Sequence, residues 1–132
     1  MTAFPWSNTP VEGGHALTSA RGRITISSDA IARIVGETAL ECYGIVGMVA
    51  RGPVKGPVLR LLRRDATTQG IEITRQEDGG VAIDLHVVVE YGLNLAEVAS
   101  TVRNRVAYEV ERLARIPVRS VEVHIEDVRS GA

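Results

Sequence analysis

His86 lies in VAIDLHVVVE (residues 81–90) and His124 in SVEVHIEDV (residues 120–128). Both stretches alternate apolar and polar residues, so each puts successive side chains on opposite faces of a strand. Val81, Ile83, Leu85, Val87 and Val89 share one face. Ala82, Asp84, His86, Val88 and Glu90 take the other, expected to be mostly wet. In the second stretch Val121, Val123 and Ile125 oppose Glu122, His124 and Glu126. With the two strands as neighbours, a pair of imidazoles stands among Asp84, Glu90, Glu122 and Glu126. Imidazole and carboxylate donors together can hold a divalent metal, or make a surface respond to pH. The simpler expectation is a solvated sheet face, and the residues by themselves assign neither a metal nor a cofactor.

Catalysis needs a nucleophile, a base in reach and an electrostatic stabiliser, and the sequence offers no such set. Cys42, the one cysteine, falls on an apolar helical stripe and reads as an inert core residue. It also excludes an internal disulfide framework and a cysteine zinc site. Glu109 falls near the apolar side of its helix, where an ion pair with Arg105 or Arg112 is expected. The pronounced charge block is cationic: Arg51, Lys55, Arg60, Arg63 and Arg64 precede any acid up to Asp65. It suits anion recognition, whether of lipid headgroups or nucleic acid. It equally suits assembly, with the acidic sheet face of one subunit meeting the basic segment of the next. Gly44-Ile45-Val46-Gly47 is a weak echo of a backbone-clamping loop, since Gly47 is expected inside a strand. The basic segment 51–64 contains no aromatic to stack on bases.

The elements that position these residues are legible from periodicity. Asn94 begins a helix as its N-cap, with Glu97 three residues on. Leu95, Val98, Val102, Val106, Val110 and Leu113 then recur at steps of three and four. Ile116-Pro117 ends it, because the residue before proline avoids helical geometry. Strand, helix and second strand make a βαβ unit with parallel strands and a right-handed crossover. Upstream, GRITI at 22–26 is a strand and Ser27 caps a helix bearing Ile31, Ile34, Val35, Thr38, Ala39 and Cys42, which Gly44 ends. Residues 45–50 and 70–75 read as further strands, and Asp78-Gly79 as a hairpin turn. One or two helical turns are expected around residues 57–65. The fold class is therefore α+β: a two-layer sandwich, with a mixed sheet carrying two main helices on one face, in the order β-α-β-β-β-α-β. Residues 1–21, with two prolines, adjacent glycines and no periodicity, read as a flexible tail with Phe4 and Trp6 as its anchor residues. Residues 22–132 read as one domain.

Composition narrows the classes. At 132 residues, 45% hydrophobic and 23% charged, the chain is ordinary globular material. Aromatics make up only 4%, so the core must be aliphatic. A net charge of −1 gives the whole molecule no general attraction to nucleic acid or membranes. No apolar run reaches the length of a membrane span, and no signal peptide is expected. A cytoplasmic protein is the simplest reading.

GRITIS before a capped helix, then YGIVGM, GIEIT, VAIDLHVVVEYGLNLAEVASTVRNRV and IPVRSVEVHIEDV together resemble the alkaline-shock protein family of Gram-positive and related bacteria. The resemblance covers residues 22–128. VVEYG with the following N-x-x-E-V, and the closing V-x-V-H-I-x-D-V, are its most specific parts. It implies a non-catalytic protein of the general and envelope stress response. Such a protein acts in the cytoplasm as a scaffold, self-associates, and reaches the inner face of the membrane through an anchored partner. The family carries no established catalytic residues to transfer. The runner-up reading is a nucleic-acid-binding domain using residues 51–64. The partner-binding residues expected are Arg51, Lys55, Arg60, Arg63, Arg64, Asp84, His86, Glu122, His124 and Glu126.

Overall fold

The computed structural model describes residues 7–11, 14–49 and 69–130. Their elements run β1 (Ser7–Val11), β2 (Gly14–Ser19), β3 (Gly22–Ser27), α1 (Ser28–Glu41), β4 (Ile45–Met48), β5 (Ile71–Arg75), β6 (Val81–Glu90), α2 (Leu95–Ala114) and β7 (Val118–Arg129). From β3 onward this is the expected β-α-β-β-β-α-β order, and the fold is α+β.

β6 is the strand on which the main sheet is built. β7 runs parallel along one of its edges over the full length. The other edge is shared by two antiparallel strands placed end to end. β5 pairs Val81 to Leu85, and β4 pairs Val87 to Val89. The seam between them falls at His86, whose carbonyl accepts from Val49 N–H (3.0 Å) and whose N–H donates to the Gly70 carbonyl (2.9 Å). Gly70 has φ +74°, and a Cβ there would stand 2.2 Å from the Val49 carbonyl oxygen. Only glycine fits a left-handed turn pressed against backbone in this way. The basic block lies in the interval 50–68 that this seam brackets, outside the described residues. The helical turns expected around 57–65 lie there too.

The core lies between this sheet and the two helices. Ile31, Val35 and Ala39 of α1, Ile83, Leu85, Val87 and Val89 of β6, and Val98, Val102, Val106 and Val110 of α2 form one buried aliphatic cluster. Val121, Val123 and Ile125 of β7 pack against it from opposite Ile83, Leu85 and Val87. Each helix begins as its sequence dictates. Ser27 Oγ accepts from Ala30 N–H and Asn94 Oδ1 from Glu97 N–H, both at 3.1 Å. α2 closes on Arg115 in the left-handed region (φ 58°, ψ 33°), two residues before Pro117.

Two expectations need correcting. The buried row of α2 is Val98, Val102, Val106, Val110 and Ala114, while Leu95 and Leu113 are exposed. The helix packs along a straight i+4 ridge, and Leu113 is turned about 100° away from Ala114. The stretch 1–21, expected as a flexible tail, contains β1 and β2. With β3 they form a separate antiparallel meander, in which Ala16 and Leu17 are buried. Pro10 disguises this in the sequence, and it is tolerated because β1 is an edge strand.

Candidate functional site

The parallel ladder sets Asp84 beside Glu122 and His86 beside His124, on the side of the sheet away from the helices. The register then slips: Val87 pairs with Ile125 but Val88 with Asp127, so Glu126 is the extra residue of a β-bulge. Two diagonal pairs link the strands. His86 Nδ1 lies 2.6 Å from Glu126 Oε2, and His124 Nε2 lies 3.2 Å from Asp84 Oδ1. The two imidazole rings stack, with centroids 4.6 Å apart and planes within 11°.

The face is less wet than alternation suggests. His86 is 3% exposed, as is Val88. Both sit on the central strand, flanked along each edge, and His86 is further covered by the His124 ring and its bond to Glu126. His124 and Asp84 are half-buried, while Glu122 and Glu126 on β7 are exposed. At 2.6 Å the carboxylate of Glu126 accepts from His86 Nδ1–H. His86 Nε2 is then fully covered and has no hydrogen-bond partner. Glu72 of β5, opposite Asp84, adds a carboxylate to the same face. The structure thus assembles Asp84, His86, Glu122, His124 and Glu126 into one array. Arg51, Lys55, Arg60, Arg63 and Arg64 lie outside the described residues.

Other singled-out residues take structural places. Cys42 caps α1 and its Sγ–H donates to the Thr38 carbonyl at 3.4 Å. Burial pushes its thiol pKa up, against a smaller downward pull from Arg105 and a further push from Glu41, so it is held as a thiol. Glu109 pairs with Arg112 (2.7 Å), and that hydrogen bond holds its carboxyl below the usual glutamate range. Gly47 lies in β4, as expected.

Periodicity did not single out the far end of the molecule. There the α1–β4 turn meets the β6–α2 turn, where Glu90 N–H donates to the Gly44 carbonyl. Tyr43 and Tyr91 are about three-quarters exposed on these turns, and a shallow apolar depression beside Tyr43 is lined by Leu93, Glu97, Val98 and Thr101. The available signal was compositional: all three tyrosines, Tyr108 included, are on the surface of a protein whose core contains no aromatic residue among those described. No helix among the described residues is long and apolar enough to cross a membrane.

Comparison with known proteins places this geometry. The chain is 35% identical to the uncharacterized protein YloU of Bacillus subtilis, over 86% of this chain and 93% of that one. It is 30% identical to the uncharacterized protein Spy1614 of Streptococcus pyogenes, over 82% and 88%. It is 28% identical to a Streptococcus pyogenes protein named as a stress response regulator gls24 homolog, over 86% of this chain and 63% of that one. No solved structure matches it. A profile of the alkaline-shock protein 23 family matches residues 16–130, from the buried pair on β2 to the end of β7. The chain belongs to that family, whose function is related to the cell envelope.

Proposed function

We propose that this protein is a non-catalytic component of the envelope stress response, acting in the cytoplasm as a scaffold. It does so by associating with itself and with a protein held at the inner face of the membrane. The observation that carries this reading is an acidic sheet face in a chain whose basic block is a separate segment of sequence. Glu72, Asp84, Glu122 and Glu126 gather on the outer face. Arg51, Lys55, Arg60, Arg63 and Arg64 belong to the interval whose two flanks, Val49 and Gly70, are hydrogen-bonded to His86. An acidic patch on one copy and a basic segment on the next make a heterologous contact, which closes into rings or runs on as filaments. The exposed tyrosines at the far turns suit a second, protein-facing surface, because tyrosine contributes large contact area at low entropic cost.

Sedimentation velocity across a salt series tests the self-association. Screening shortens from about 10 Å at 0.1 M to about 3 Å at 1 M, so assemblies present at low salt dissociate as salt rises. Replacing Glu122 and Glu126 by lysine gives monomer throughout. A chain that stays monomeric at every concentration in low salt removes this part of the reading. In-cell crosslinking with identification of the captured protein tests the membrane-held partner.

A further inference from the structure

We infer that Asp84, Glu122 and His124 form a binding site for a divalent first-row transition cation, with His86 and Glu126 as its supporting pair. One donor atom from each of the three residues lies within 4.8 Å of the others. Metal–ligand bonds of about 2.0–2.2 Å require neighbouring donors roughly 3 Å apart. His124 Nε2 and Asp84 Oδ1 are already 3.2 Å apart. Only Glu122 has to close in, and its side chain is exposed and free to rotate. The ladder supplies the convergence: Glu122 and His124 are alternate residues of β7, and Asp84 stands directly across from Glu122. Two carboxylates and one imidazole are a borderline N/O donor set, suited to zinc, manganese or iron(II) rather than to calcium. Three protein ligands leave coordination positions open to water.

The second observation is independent of that cluster. The His86 ring, stacked on the His124 ligand, donates through Nδ1 to Glu126 and so is fixed in orientation. In the neutral ring its Nε2 is then a bare acceptor, completely covered and without a partner. A buried acceptor left unmet carries its desolvation cost uncompensated. The side chains that cover it must part for a water carried in by the cation to meet it. Bound to the cation, His124 presents the Nε2 lone pair and carries its proton on Nδ1, and Asp84 exchanges a hydrogen bond for a metal bond. The stacked, carboxylate-anchored His86 thus helps to fix the plane of the His124 ring.

Zinc chloride titrated into the full chain provides the test, read by calorimetry and by the imidazole nitrogen resonances of the three histidines. Expected are one saturable equivalent per chain, shifts at His124 and His86, and none at His15. Asp84→Asn and Glu122→Gln, both close to isosteric, each weaken zinc by at least about tenfold, and Glu126→Gln, which touches only His86, weakens it less than either. His15→Ala leaves binding unchanged. The absence of saturable uptake overturns the proposal. So does uptake that survives in the Asp84→Asn/Glu122→Gln double variant, with the native fold confirmed by circular dichroism, or uptake that depends on His15.

Discussion

Glu109 shows how one residue reconciles charge with a nearly buried position. It sits on α2 beside the packed row, with its side chain 16% exposed, and Arg112 one turn on bonds it through both guanidinium Nε and Nη. The hydrogen bond from Arg112 is the main cause of its lowered pKa, with the charges of Arg112 and Arg105 adding to it against desolvation. The folded-state value lies below the unfolded one. The pair therefore stabilises the fold above the ordinary glutamate range, and that contribution is lost as pH falls through the lowered value. A carboxyl carbon NMR titration should place the Glu109 midpoint below the ordinary glutamate value, and Arg112→Gln should raise it. Equal midpoints in the two proteins would mean the pair is a surface contact without consequence.

At the scale of the element, the N-terminus of α2 joins the sheet's central strand to its only parallel neighbour among the described residues. Asn94 supplies the cap, its Oδ1 accepting from Glu97 N–H. Asn94→Ala should lower unfolding stability by about 1 kcal/mol and Asn94→Gly by only a few tenths. Chemical denaturation of the two variants separates a lost cap from a change in backbone propensity, and equal losses would argue against the cap. β7 shows how an edge strand is managed. It is twelve residues long and pairs only with β6 among the described residues, which invites strand addition from another chain. Charged residues along it, and bulges at Arg119 and Glu126, interrupt that edge. Arg119, at the first bulge, pairs with Asp78 in the β5–β6 hairpin at 2.8 Å, and Glu126, at the second, pairs with His86.

At the scale of the whole molecule, stability rests on one aliphatic cluster to which both helices and the main sheet contribute. Leu85 is fully buried at its middle. Leu85→Ala should cost about 2–5 kcal/mol, from lost transfer energy plus the cavity left behind. A lowered urea midpoint with unchanged slope would show that both layers unfold together. A loss well under 1 kcal/mol would mean that helices and sheet are held by something else.

Sequence alone determined what is periodic. The alternation in 81–90 and 120–128, the apolar stripes of the two helices, the Ser27 and Asn94 caps and the Asp78-Gly79 turn are local regularities, and each follows from short-range geometry. They were enough to put Asp84, His86, Glu122, His124 and Glu126 on one side of one sheet. Tertiary structure decided the rest, because the rest depends on residues far apart in the chain. Nothing local says that β1 and β2 find β3, or that β4 and β5 share a single edge of β6. The one-residue slip at Glu126 is equally silent in an alternating pattern. Burial of His86 arises in the same way: a polar residue that strand alternation alone would leave in water is covered once its strand has neighbours on both edges and a second imidazole stacks upon it.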